Sequence, residues 1–362
     1  MSDPHESPVP SYRDLAERCE VIVCCGTGGV GKTTTAAATA MAAAAMGRRA
    51  AVVTIDPAKR LADALGIGEL GNDPTVIDGP WSGTLAALML DTKATFDAVV
   101  RRHAGSDEQA ETILANRFYR NISTSLSGTQ DYMAVEKLAE LHSSGEWDLV
   151  VVDTPPTRDA LAFLEAPKLL TRLLDNPIYR VLISPSTGVL RAVNRAATSV
   201  VRQLSRVVGA EVVDDAIEFF QAFQGMEDGF RERADATLTL LGADETAFVL
   251  VASPRADTLV EAKYFLDRLG KADLDAAAVV VNRVLPALSI DADRAAELRA
   301  DHPGGPVQAL ADHAAAAAGD DDRIVDLLSA APGATVARVP LLPSDVHDVD
   351  TLRRIAELLT EG

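Results

Sequence analysis

Short apolar runs punctuated by glycine and proline alternate along this chain with longer helix-forming stretches. Polar residues up to about position 12 read as a disordered tail, followed by a short helix through Leu15 to Cys19. Val21 to Cys25 is a near-continuous apolar run ending at Gly26, as expected of a strand buried on both faces. An Ala-rich helix follows to about Met46, where Gly47 stops it. Ala50 to Ile55 reads as a second strand ending at Asp56-Pro57, and Thr84 to Leu90 as a third. Between them Gly71-Asn72-Asp73-Pro74 and Asp78-Gly79-Pro80 mark loops.

Asp91 to Ser144 carries a mostly helical pattern, with a polar loop near Ser123 to Gly128. Trp147 to Asp153 is then a buried strand closing on an acid, and Arg158 to about Leu241 a long helical stretch. Strands resume at Ala247 to Ala252 and Ala277 to Val281, with a helix between. Gly304-Gly305-Pro306 and the low-complexity Ala311 to Asp322 segment read as a loose acidic connection. Ala334 to Pro340 is the last expected strand, and Asp348 to Leu359 a closing amphipathic helix.

Apolar strands alternating with helices imply an α/β fold, a doubly wound, mostly parallel sheet covered on both faces. Ligands in such folds sit at the carboxyl ends of the strands. Gly26, Asp56, Asp153 and Asn282 all fall at such ends, so four candidate residues converge on one edge of one sheet.

The chemistry of that edge is set by Gly26-x-x-x-x-Gly31-Lys32-Thr33, a phosphate-binding loop between a strand and a helix. Glycines let backbone N–H groups close around phosphate oxygens, and the following helix points its positive end at the same place. Lys32 is placed to reach the outer phosphates and the Thr33 hydroxyl to coordinate Mg²⁺. The bland alternative is a Gly-rich turn. Asp153 has the form of a Walker-B acid, a carboxylate held at the end of a buried strand near Mg²⁺; an Asp capping the Thr154-Pro155-Pro156 turn is the alternative. Asp56 is a candidate to orient or deprotonate an attacking water, or else a turn-forming Asp before Pro57.

Bulk properties narrow the partners. With 362 residues the chain is long enough for one large domain or two. A net charge of −19 argues against a general nucleic-acid surface. Three cysteines, Cys19, Cys24 and Cys25, form no Cys-x-x-Cys pair, so neither zinc nor a redox motif is expected, and a reducing cytoplasm is the natural location. Met1 to Pro10 has no apolar leader core, and Ala36 to Met46 is too short and weakly apolar to span a bilayer. The six histidines show no metal spacing.

Gly28-Gly29-Val30-Gly31-Lys32-Thr33-Thr34, Thr54-Ile55-Asp56-Pro57-Ala58-Lys59-Arg60 and Asp153-Thr154-Pro155-Pro156-Thr157 together resemble the arsenical-pump and tail-anchored-protein-targeting ATPases. These are the deviant-Walker branch of the P-loop ATPases. The C-terminal Val281-Asn282 and Val339-Pro340-Leu341-Leu342-Pro343 fit as well, so the resemblance covers nearly the whole chain. It implies a single P-loop ATPase domain over residues 13–362 with helical insertions at about 92–145 and 158–241. It also implies a nucleotide-dependent dimer binding ATP and Mg²⁺ near its interface. Gly26, Thr27 and Gly28 to Thr34 would hold phosphates, Thr33 and Asp153 would serve the metal, and Asp56 would position the water. Asn282 and the Pro340, Leu341, Pro343 turn would contact adenine. Guanine specificity wants Asn-Lys-x-Asp, whereas this chain has Asn282-Arg283-Val284-Leu285.

The departures from the pattern matter more. The family's second loop residue is a lysine that crosses the dimer interface to the partner's phosphates; here it is Thr27. Two expectations follow: a heterodimer with a lysine-bearing paralogue, or a self-sufficient or weak ATPase using another cation such as Lys59 or Arg60. A non-hydrolysing ATP-binding regulatory subunit is the reading from another class. After Thr157 the family continues Gly-His-Thr, while this chain has Arg158-Asp159-Ala160. The cysteines that bind arsenite or bridge zinc in the family have no counterpart.

In the second insertion, Val189 to Val208 alternates an apolar stripe with Arg191, Arg195, Arg202 and Arg206. No acid falls between Asp175 and Glu211. This is either a docking helix for an acidic partner, a membrane protein or a membrane surface, or a core helix with a solvated basic face.

Overall fold

The computed structural model describes residues 9–56, 58–125, 128–155, 165–166, 168, 171–172, 175, 209–301 and 304–361. Among them, eight strands form one sheet: β1 (Val21–Gly26), β2 (Arg49–Thr54), β3 (Thr75–Ile77), β4 (Thr84–Met89), β5 (Leu149–Asp153), β6 (Thr246–Ala252), β7 (Ala276–Val284) and β8 (Thr335–Pro340). Their order is β3-β4-β2-β5-β1-β6-β7-β8. Every neighbouring pair is parallel except β3 with β4. The helices are α1 (Tyr12–Arg18), α2 (Lys32–Ala45), α3 (Arg60–Ala64), α4 (Thr92–His103), α5 (Asp107–Ala115), α6 (Arg117–Ser125) and α7 (Thr129–Ser143). They continue as α8 (Ala210–Ala222), α9 (Glu227–Leu241), α10 (Ala256–Gly270), α11 (Ala292–Asp301), α12 (Pro306–Leu328) and α13 (Val349–Glu361). The expected α/β architecture with a mostly parallel sheet is therefore present.

The chain divides into two units, one of residues 1–89, 141–161 and 242–362, the other of 90–140 and 162–241. In the first, β1 lies between β5 and β6, its register pairing Cys24 with Asp153 on one side and Gly26 with Val251 on the other. β1 and β5 are buried at every position, because each face of the sheet is covered. Alanine dominates α2, and its small side chains let the helix pack closely on the sheet while α1 and α13 close over it. Tyr12 on α1 is buried and shares a 2.7 Å hydroxyl hydrogen bond with Thr39 of α2.

The second unit is helical. Phe219, Phe223 and Phe230 form a buried aromatic cluster there. The buried Glu136 carboxylate accepts the Tyr132 hydroxyl at 2.8 Å and also receives Arg233.

Three expectations change. The first helix starts sooner than expected: Ser11 caps α1 in a reciprocal capping box with Asp14, and the helix runs from Tyr12, not Leu15. The Ala311 to Asp322 segment is not a loose connection but the middle of α12. Ala311, Ala314, Ala317, Asp320, Ile324 and Leu327 are buried at helical spacing, and alanine favours helix however simple the sequence. β3 occupies part of the expected loop between β2 and β4; three residues are too few to carry a period. Within the second insertion α8 and α9 are helical as expected, while the basic stripe of 189–208 and the segment 156–160 lie outside the described residues.

Candidate functional site

The turn from β1 into α2 is built by backbone that side chains would obstruct. Gly26 has φ +149°, and a Cβ there would sit 2.2 Å from the Val251 carbonyl oxygen on β6. Gly31 has φ +101° and caps α2 without any side-chain hydrogen bond. The first N–H groups of α2 thus face the space ahead of them, where an anion is favoured. Val30 is buried and anchors the loop, while Gly28 and Gly29 are exposed at its outer turn.

Lys32 starts α2 and is only 6% exposed. Its ammonium donates to the Thr27 carbonyl oxygen at 2.8 Å, so the lysine lies folded along its own loop. Burial lowers its pKa; Asp153, Cys25 and Asp56 oppose that shift. Thr27 carries no charge, and its hydroxyl is buried with no hydrogen-bond partner among the described residues.

Asp153, at the end of β5, is buried to 1%. One carboxylate oxygen, Oδ2, accepts from the Thr33 hydroxyl at 2.7 Å and from the Thr54 hydroxyl at 2.8 Å. Burial raises its pKa to about 6, against the lowering effect of the two hydroxyls and Lys32. The other oxygen, Oδ1, is buried without a partner. One unsatisfied carboxylate oxygen beside a threonine hydroxyl is the sparse oxygen set that suits Mg²⁺ completed by water and phosphates. Among the described residues no group of three or more His, Cys, Asp or Glu could hold a metal ion. The residues present therefore fit a phosphate-dependent magnesium site and give no all-protein cage.

Thr54 belongs to this cluster of side chains, and sequence reasoning missed it. It closes β2 in register with Asp153 across the parallel ladder, and that pairing puts its hydroxyl on the carboxylate. Its Oγ1 also accepts the backbone N–H of Asp56 at 3.3 Å, linking the β5 acid to the loop after β2. The signal available was a Thr two residues before Asp56, but only the strand order makes it a neighbour of Asp153.

Asp56 is mostly buried, with its side chain 14% exposed. It accepts the Ala58 N–H at 3.0 Å and lies 3.3 Å from the Arg60 guanidinium. Of the two cations considered from the sequence, Lys59 pairs with Glu69 at 2.8 Å away from the loop glycines, while Arg60 lines the same cavity as they do.

That cavity, of about 480 Å³, runs from Gly29, Gly31, Lys32, Thr33 and Thr34 past Asp56, Arg60 and Asp63 to Asn282, Arg283, Pro340, Leu341, Leu342, Asp345 and Val346. The structure thus brings the phosphate-loop, Asp56 and C-terminal candidates together; Pro343 is not part of the wall. Asn282 has a role the sequence did not disclose. Its amide donates to the Val30 carbonyl at 2.8 Å and accepts the Arg283 N–H at 2.9 Å, so it ties β7 to the phosphate loop. A cavity with an anion-binding loop at one end and apolar side chains at the other suits a nucleotide.

The family model for anion-transporting ATPases matches residues 19–303. An ATPase GET3 of Phaeosphaeria nodorum is 24% identical over 265 residues, 72% of this chain and 75% of that protein. An ATPase get3 of Aspergillus terreus is 25% identical, covering 72% of each chain. One of Schizosaccharomyces japonicus is 24% identical over 77% of this chain and 79% of its own. Among the described residues no helix is long and apolar enough to cross a membrane. With a glycine-rich loop ahead of α2, a buried strand-end acid and a cavity of about 480 Å³ beside that loop, and with these matches over most of its length, the chain belongs to the anion-transporting ATPase family.

Proposed function

We propose that this chain is a Mg²⁺-dependent ATP-binding and hydrolysing switch that acts as a dimer, its partner being a paralogous subunit that carries the signature lysine. The observation that carries the nucleotide reading is the pair Lys32 and Thr33 at the loop end of the cavity, with Asp153 behind the wall, bonded to the Thr33 hydroxyl and with its Oδ1 lacking a partner. Thr33 and Asp153 would hold the magnesium ion, which when bound neutralises phosphate charge. The loop from Gly26 to Thr34 would bind the phosphates, with Lys32 turning from the Thr27 carbonyl toward them. Asp56, held by Ala58 N–H and Arg60, would orient the water. Asn282, Pro340 and Leu341 would border the adenine, with Pro343 fixing their turn. Residues 13–362 would then work as one ATPase domain bearing the two helical insertions, in the cytoplasm. The insertions are the surface for a membrane-protein or peripheral membrane partner.

The partner reading rests on Thr27. A neutral side chain there supplies no cation across a dimer interface, and loss of a transition-state cation of this kind costs on the order of 10³ in rate. The purified chain alone should therefore bind ATP but turn it over slowly. Thr27→Lys, or addition of a lysine-bearing paralogue, should raise turnover by at least ~10-fold. Robust turnover by the lone wild-type chain would sink the partner reading and leave a self-sufficient ATPase, with Arg60 as the cation placed for it. If neither Thr27→Lys nor a paralogue raises turnover while ATP still binds, the chain is a non-hydrolysing regulatory subunit.

A further inference from the structure

Arg283 stands out from the other cations of the cavity. Lys32 is bonded to the Thr27 carbonyl and Arg60 to Asp56, yet Arg283 has no side-chain partner among the described residues, although Asp345 also lines the wall. Its backbone is unusual too. Arg283 has φ +62°, one of two non-glycine residues with positive φ among the described residues. It is the extra residue of a β-bulge: Asn282 faces Val339 and Val284 faces Pro340, so Arg283 has no counterpart on β8. A bulge re-aims a side chain, and an arginine in the left-handed region carries strain of the kind that clusters at ligand sites.

The bulge is pinned at both ends. On one side Asn282 holds the Val30 carbonyl of the phosphate loop; on the other the Val284 carbonyl accepts Leu341 N–H at 2.8 Å. Arg283 is thereby set at the seam between the phosphate end and the apolar end of the cavity. The phosphate end already has Lys32 and the N-terminus of α2. The other end is walled by Pro340, Leu341, Leu342 and Val346, and among the described residues no aromatic ring lines it. A flat heterocycle there has aliphatic contacts and no planar partner. A guanidinium is planar, weakly hydrated and attracted to a π face.

We infer that Arg283 is the base-face clamp of this site: its guanidinium stacks on the heterocycle of the bound nucleotide and contributes affinity for the base, leaving the phosphates to the loop. The inference rests on the nucleotide reading above and assigns the strained bulge its purpose.

The test is calorimetric titration of the full chain with MgATP and, separately, with magnesium tripolyphosphate, which has the phosphates and no base. Arg283→Ala should weaken ATP roughly 3- to 30-fold and leave tripolyphosphate unchanged. Arg283→Gly, which relieves the positive φ, should show the same selective loss with a melting temperature no lower than wild type, separating stacking from folding. Arg283→Lys should recover only part of the ATP affinity, since an ammonium is not planar. Equal weakening of both ligands would overturn the inference by making Arg283 a phosphate contact. Unchanged binding of both would overturn it as well. If wild type binds neither ligand, or binds both regardless of Lys32→Ala, the nucleotide reading itself fails and the clamp goes with it.

Discussion

Gly31→Ala is the most informative single change, because the structure specifies both its cost and its accomplice. At φ +101° an L side chain is strained, at about 1–2 kcal/mol. The new Cβ would also lie 2.2 Å from Asn282 Nδ2, a distance no packed pair of atoms tolerates. Asn282 must therefore swing away and release its hydrogen bonds to Val30 O and Arg283 N, each worth about 1 kcal/mol. The sum is about 3–4 kcal/mol. Asn282→Ala alone removes the same two bonds and should cost about 2 kcal/mol. In the double variant the bonds are lost once and the clash is gone, so it should cost about 3–4 kcal/mol, the same as Gly31→Ala by itself, not the sum of about 5–6.

Urea unfolding of the nucleotide-free protein followed by tryptophan fluorescence measures this, since both Trp81 and Trp147 lie in the sheet unit. An unchanged slope against urea confirms that one transition is being compared. If the two single costs simply add in the double variant, to within about 0.5 kcal/mol, then Asn282 does not hold the phosphate loop through Gly31 and the reasoning is refuted.

Asp153 gives a pH prediction. Its pKa in the folded chain is raised from 3.8 to about 6, so the unfolded state releases its proton first as pH rises. The stability linked to this group is thus present below about pH 4 and lost between about pH 4 and 6, a total of about 3 kcal/mol. Without metal, Asp153→Asn should be the more stable protein at pH 8, with the gap closing toward pH 4; denaturant midpoints at the two pH values check this, and a gap that widens on acidification contradicts it. Thr54→Val removes a hydroxyl that donates to a buried carboxylate and should cost about 1.5–3 kcal/mol. It should also weaken magnesium dependence of nucleotide binding, while Thr54→Ser should restore both; a Val variant as stable as wild type would show that the hydroxyl does not hold Asp153. Thr27→Lys should raise turnover without raising ATP affinity in proportion, read as a kcat change at nearly constant KM.

Much of this molecule is legible from local pattern. The strand-loop-helix around Gly26 to Thr33 is encoded within one short window, because a phosphate loop needs glycine at fixed positions and a helix directly after. The strand-end positions of Asp56, Asp153 and Asn282 follow from where apolar runs stop. Low-complexity composition misled at Ala311 to Asp322, where helical spacing of the alanines carried the true signal.

Sequence by itself determined the fold class, the phosphate loop and which acids end strands, since each depends on residues close together along the chain. Tertiary structure alone decided which of these meet. The strand order sets β5 between β1 and β2, and that is why Thr33 and Thr54, one on each side, both bond to Asp153. It likewise decided that Asn282 ties down the loop 252 residues away and that Arg283 stands in a bulge beside the cavity. Register between non-adjacent strands is fixed by packing of the whole sheet, and no local window contains that information.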